Sequence, residues 1–128
     1  MSVETDIRSR LVADATVGGL VVARIYPEIL PQNPTMDAIT YSTISAVGNQ
    51  QLAAAGTWTF GRLQLRSWSD TKLGAETLAD AVRSSLDGFI GELNGRRVTI
   101  RFENHQSAYD DGAKLYSMIQ DYFVNYVH

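Results

Sequence analysis

His105, Ser107, Tyr109, Asp110 and Asp111 stand close together in one polar stretch. Together they spell the residue types of an acyl-transfer site: a hydroxyl nucleophile, an imidazole base and a carboxylate to orient it. That chemistry needs the groups held within hydrogen-bond reach on a rigid frame, with donors aimed at the developing oxyanion. Here they follow one another along the chain, with no nucleophile elbow and no glycine-rich oxyanion turn. His105 therefore reads as a solvated loop residue, and His128, at the chain end, is expected to fray. Asp110-Asp111-Gly112 resembles a fragment of a calcium loop, but the spaced ligands and closing glutamate are missing, and a simple turn is expected. Gly88, Gly91 and Gly95 match neither a phosphate-binding loop nor a dinucleotide fingerprint. Glu76, Asp80 and Arg83 fall on a helical surface, where Arg83 offers Asp80 an i+3 partner, a solvated ion pair. The chain is expected to be no enzyme and to carry no cofactor and no metal.

At 128 residues, 45% hydrophobic and 20% charged, the chain is sized for one globular domain spanning 1–128. No apolar run approaches the roughly 20 residues of a membrane span, and no membrane association is expected. The polar start MSVETDIRSR lacks a signal-peptide core, so synthesis in the cytoplasm is expected. With no cysteine there is neither a disulfide framework nor thiolate chemistry. The net charge of −3, spread without long blocks, argues against a nucleic-acid binder.

Four-residue spacing of Val3, Ile7, Leu11 and Ala15 predicts a first helix with Ser2 as N-cap, ended by Gly18-Gly19. A short apolar run, Leu20 to Tyr26, closes at Pro27. Pro27 to Ala38 holds all three prolines and reads as an extended arm. Ile29, Leu30 and Met36 are unusual decoration for a purely solvated loop. Ile39 to Val47 is rich in β-branched residues and reads as a strand. Gly48 to Gly56 breaks the pattern. Thr57 to Ser67 follows as a strand with a phase change near Gly61, expected to mark a bulge. Asp70 or Thr71 caps a second helix from about Lys72 to Leu86, with Ala75, Leu78, Ala79, Val82 and Leu86 on one face and Asp87-Gly88 as its stop. Asn94-Gly95 joins Phe89–Leu93 to Arg97–Glu103 in a tight hairpin. Asn104 to Ala113 reads as a loop.

The last run, Lys114 to Val127, alternates over a length of roughly 40 Å at about 3.3 Å per residue. Leu115, Ile119, Phe123 and Val127 share one face; Tyr116, Met118, Tyr122, Val124 and Tyr126 share the other. Apolar groups on both faces ask for two covers, one from the chain's own helices and one from another copy or another protein. Trp68 is expected in the core; Trp58 reads as either core or interface anchor. The resulting fold class is α+β: an antiparallel or mixed sheet with two helices packed on one face and a long C-terminal strand.

In this order the pieces resemble a known family. The helix ending near Val17-Gly18 followed by Arg24-Ile25-Tyr26-Pro27, the strand Leu63-Gln64-Leu65-Arg66-Ser67-Trp68, and the helix from Leu78 to Gly88 carry the resemblance. So do Leu115-Tyr116-Ser117 and Asp121-Tyr122-Phe123. Over nearly the whole chain they are similar to the tail-completion, or tail-terminator, proteins of long-tailed phages, prophages and gene transfer particles. Two features depart from the pattern: Ala38 stands where a proline is often found, and the Ala/Gln-rich Gly48–Gly56 insert does not align with it. The resemblance implies a virion structural protein made in the host cytoplasm. It would form a homo-hexameric ring at the head-proximal end of the tail, touching the tail tube protein and the head–tail connector or stopper, with DNA passing through without specific binding. Alternatives are another head–tail joining protein, stopper or adaptor, and a small α+β ligand-binding domain. Partner contacts are expected on the arm at Ile29, Leu30, Asn33 and Met36. Further contacts are expected on the insert at Gln50, Gln51 and Leu52 with neighbouring Trp58, and on the late loop at Tyr109 and Asp110.

Overall fold

The helical spacing expected from Val3 to Ala15 breaks at Asp14. In the computed structural model, which describes residues 3–32, 34–48 and 58–127, α1 spans Val3–Ala13 and α2 spans Ala15–Val21. Ser2, the expected first cap, lies outside the described residues. Asp14 takes an extended conformation, and its Oδ1 accepts from Thr16 N at 2.9 Å and Val17 N at 3.0 Å, starting a new helix. Gly18-Gly19 therefore sits inside α2 instead of ending the first helix. A Cβ on Gly18 would stand 2.7 Å from the Val12 carbonyl oxygen, so glycine is what lets the two helices fold back so closely.

The arm follows β1 (Ile25–Pro27), and β2 (Ala38–Gly48) begins one residue earlier than the sequence pattern suggests. Arg24 ties the far end of the arm to its near end, donating from Nε to the Asp37 carbonyl at 2.8 Å and from Nη2 to the Met36 carbonyl at 3.2 Å. The phase change at Gly61 is not a bulge. β3 (Trp58–Ser69) pairs without a slip, and the bulge lies across from it in β2, between Thr43 and Ser45. The apolar pattern switches because Phe60 and Trp58 share the parity of Arg62, Gln64 and Arg66, opposite to Leu63 and Leu65. Helix α3 (Lys72–Leu86) forms as its spacing requires, with Thr71 Oγ1 accepting from Gly74 N at 3.0 Å and all five apolar-face residues buried. Each such leucine or valine contributes about 1.5–3 kcal/mol of burial.

Strand β4 (Ile90–Leu93) turns through Asn94 at φ 51° and Gly95 at φ 80°, the left-handed pair of a type I′ turn, into β5. Here the structure corrects the sequence most. β5 runs Arg96–Asp110, so the stretch from Asn104 to Asp110 is strand, not loop. Its polar residues have little intrinsic strand preference. Pairing to β6 (Leu115–Val127) supplies the ladder, residue by residue, as far as Asp110 opposite Leu115.

The sheet is six-stranded and mixed, in the order β1-β2-β3-β6-β5-β4, with β1 parallel to β2 and the other pairs antiparallel. Three helices accompany it among the described residues, one more than the spacing suggested. The main core joins Ile7, Leu11, Val17, Val21, Leu78, Val82 and Leu86 of the helices to Leu63, Leu65, Ile100, Tyr122 and Val124 of the strands. Buried Asp6 pins α1 to the β4–β5 turn, accepting from Asn94 Nδ2 at 2.7 Å and from Arg96 Nη1 at 2.8 Å. Two contacts fix the end of α3. Arg10 donates to the Ser85 carbonyl from Nε and Nη2 at 3.0 and 2.8 Å, and its guanidinium lies 4.2 Å from the Phe89 ring.

Candidate assembly interface

Along β3, alternate positions separate two chemistries. Leu63 and Leu65 enter the core, while Arg62, Gln64, Arg66 and Trp68 stand on the opposite face. There Arg62 forms a two-pronged pair with Glu103 of β5, from Nε to Oε2 at 3.0 Å and from Nη2 to Oε1 at 2.7 Å. A bulge between Phe102 and Asn104 lets Glu103 turn toward that arginine. Asp121 of β6 lies 3.9 Å from Arg62 Nη2 and accepts from Gln64 Nε2 at 3.1 Å. Three central strands are thus cross-linked on a face that also carries Phe60, Ile119 and Phe123, and the planar arginine fork gives the pair its geometry.

Trp68 is buried, as expected, but outside the main core. It shares the parity of the arginines, donates from Nε1 to Thr40 Oγ1 at 3.0 Å, and carries the Arg66 guanidinium 4.1 Å from its ring. Arg66 in turn donates from Nε to Ser117 Oγ at 2.9 Å. Burial lowers its affinity for a proton below that of an ordinary arginine, and the nearby Asp110 charge works the other way. Beside this stack the arm crosses over the sheet and leaves a cleft of about 390 Å³, lined by Ile29, Leu30, Pro31 and Pro34 on one side and Arg66, Trp68, Asp110 and Leu115 on the other. Chemically it offers an apolar wall, an aromatic floor and one charged donor, Arg66, with the carboxylates of Glu28 and Asp110 also in its lining. That combination suits an inserted side chain with an acceptor group at its edge.

Nothing in the late segment assembles a catalytic centre. His105, Ser107 and Tyr109 alternate along β5, about 6.6 Å apart on one face, and Asp110 points to the other. The His105 ring lies 5.7 Å from that of Phe102. Asp110 Oδ1 accepts from Ala113 N at 3.1 Å, which makes Asp110-Asp111-Gly112 the turn between β5 and β6. No group of three or more His, Cys, Asp or Glu is placed to hold a metal among the described residues. Arg83 does not pair with Asp80; it lies 3.5 Å from Asp87 and stacks 3.8 Å from the Phe102 ring, because the β5 strand supplies an aromatic surface that an isolated helix lacks.

The sequence of residues 5–126 matches the family profile described as tail completion protein gp17. The chain belongs to that family. It is accordingly a structural protein of the phage tail and not a member of an enzyme class. Among solved structures, a chain of the virion of a native gene transfer agent particle superposes with a TM-score of 0.82 at 16% identity, covering 99% of this chain and 96% of that one. A second solved chain, at 13% identity, gives a TM-score of 0.59 and covers all of this chain and 96% of its own. At such identities the two structures speak for the fold alone. No curated protein matches the sequence.

For this tail completion protein, the expected contact residues divide three ways. Ile29, Leu30 and Asp110 come together at the cleft, with Ile29 77% exposed. Met36 and Tyr109 lie apart from it: Met36 is half-buried where Arg24 holds its carbonyl, and Tyr109 stacks on Tyr116 at 4.8 Å. Asn33, Gln50, Gln51 and Leu52 lie outside the described residues, and Trp58 is described only as the first residue of β3. The sequence reads Trp68 as core alone, and Arg66, Thr40 and the Arg62–Glu103–Asp121 network are not among the contact residues expected from it. The alternation Arg62, Gln64, Arg66 was the available signal, since three polar residues on one parity of a central strand require a polar or partner-covered face.

Proposed function

We propose that this protein closes the head-proximal end of a phage-type tail tube as a ring of identical copies, ends polymerisation of the tube there, and presents a docking face to the head connector. The family match across residues 5–126 is the observation that carries the reading. Six copies is the number the family resemblance implies, and DNA passes through the opening without specific contacts, consistent with a net charge of −3. The work is binding, not chemistry: apolar groups such as exposed Ile29 are covered on docking, and the ordering of loops opposes part of that gain. In this proposal the arm residues Ile29, Leu30, Asn33 and Met36, the insert Gln50, Gln51 and Leu52 with Trp58, and Tyr109 with Asp110 meet neighbours. The test is electron microscopy of particles assembled without the gene. Overlong or ragged tails detached from filled heads are expected. Tails of normal length that fail to join heads would move the protein to the connector side, as a stopper or adaptor. Intact particles would refute the reading.

A further inference from the structure

Both outer strands of the sheet are short, and each leaves half of its neighbour uncovered. β1 pairs with β2 only from Ile39 to Tyr41, so the outer edge of 42–48 has no partner strand among the described residues. β4 pairs with β5 only from Arg96 to Thr99, and the edge beyond continues through Ile100 N donating to the Phe89 carbonyl, Gly88 N donating to the Ile100 carbonyl and Phe102 N donating to Asp87 Oδ1, each at 2.9 Å, before it opens along 103–110. The two open stretches lie at opposite ends of the sheet. The register through β3 and β6 puts 42–48 beside the C-terminal half of β6 and 103–110 beside its N-terminal half. Neither stretch contains a lysine or a proline, two common guards of an exposed edge; the only charged carboxylates there, Glu103 and Asp110, stand at the two ends of the β5 stretch.

We infer that these two edges are made for each other, so that the 103–110 edge of one copy pairs with the 42–48 edge of the next. The inference rests on the ring proposed above and names its repeating contact. Direction agrees. β2 and β6 run one way and β3 and β5 the other, so copies related by rotation about a ring axis bring β5 against the neighbour's β2 antiparallel. Shape agrees as well. If the neighbour is shifted along the strands by about six residues, about 20 Å, its β1 clears the β5–β6 turn and β4 clears the end of its β2. A shift of that size across four strands, β2, β3, β6 and β5, about 19 Å of sheet, corresponds to a strand tilt of about 45°, close to the 35–45° of closed barrels. The tilt does not depend on the number of copies. The bulges at Thr43/Ser45 and Phe102/Asn104 supply the local bend that a closing sheet requires.

Side chains support the same register. With that shift Tyr109, 49% exposed, faces the bulge that carries Ile44, 46% exposed. Two large apolar residues stranded on opposite edges of one copy are thereby covered by one contact. The join uses two different patches, as a closed ring of identical subunits requires.

The chain lacks cysteine, so introduced pairs report the contact without background. Within one copy β2 and β5 are separated by two strands, about 14 Å, too far for a disulfide, which needs Cα atoms within about 7 Å. Thr43→Cys is combined with Tyr109→Cys, and separately with Ser107→Cys to allow for a two-residue difference in register. Particles carrying each pair are oxidised, and the protein is run on denaturing gels without reductant. A ladder of cross-linked species ending at the closed ring is expected for at least one pair. Thr43→Cys with Ile90→Cys, on the exposed edge of β4, should stay monomeric. Rings seen by microscopy without cross-linking at either test pair would overturn the edge contact and leave the ring standing. Absence of rings at the tail end would overturn both.

Discussion

Replacing Arg96 by methionine tests the tether that holds the first helix to the hairpin on the far side of the core. Asp6 is 2% exposed, and its two oxygens are satisfied by Asn94 and by the Arg96 guanidinium at 2.8 Å. Methionine keeps most of the arginine's length and apolar stem, so the change chiefly removes the cation and leaves a buried carboxylate with one partner. Breaking a buried pair from one side costs about 3–5 kcal/mol, against a total stability of about 5–15 kcal/mol for a domain. With a urea slope of about 2 kcal/mol per M, the unfolding midpoint falls by about 2 M. The double variant Asp6→Leu with Arg96→Met removes both charges and should recover most of that loss, giving a coupling of at least about 1.5 kcal/mol. The assay is equilibrium urea unfolding followed by circular dichroism. A loss below about 1 kcal/mol for Arg96→Met, or simple additivity in the double variant, would refute the claim that Asp6 depends on its cation.

Two further expectations follow from buried groups. Tyr122 is fully buried, donates its hydroxyl to Gln120 Oε1 at 3.0 Å, and titrates well above an ordinary tyrosine, chiefly through burial and secondarily through the charge of Asp87, with Arg83 opposing. The folded state keeps a proton that the unfolded state releases above pH about 10, so stability is intact below that pH and falls above it, by up to about 1.4 kcal/mol per pH unit. Tyr122→Phe should lower stability at neutral pH by about 1 kcal/mol and flatten the decline between pH 10 and 11; an unchanged slope in that window counts against the assignment. In α2, neighbouring glycines should respond with opposite signs. Gly19→Ala meets nothing within 4 Å and should raise stability by about 1 kcal/mol, while Gly18→Ala drives its Cβ against the Val12 carbonyl and should lower it by about 1–3 kcal/mol. Thermal melts in which both variants shift in the same direction would show that the two helices are not packed as closely as described.

Periodicity and turn chemistry determined much of this protein from sequence alone. The apolar face of α3, its Thr71 cap, the Asn94-Gly95 turn and the alternation of the last strand are local properties, written in residues a few positions apart, and each forms where the pattern puts it. The order of such pieces was also enough to point to the family. What tertiary structure alone decided are the features whose cause lies far away in the chain. Residues Asn104 to Asp110 look like a loop because their own preferences are polar and weak, yet Leu115–Asp121 arrives antiparallel and completes their hydrogen bonds. Trp68 looks like core from its type, but strand parity sends it to the face of Arg66, where Thr40 and the arm enclose it. Glycine 18 looks like a helix stop until the return of α2 against Val12 explains the missing side chain. Sequence patterns register the preferences of neighbours along the chain, and partners many residues apart meet only after the chain has folded, so which edges stay open and which face waits for a cover emerge only then.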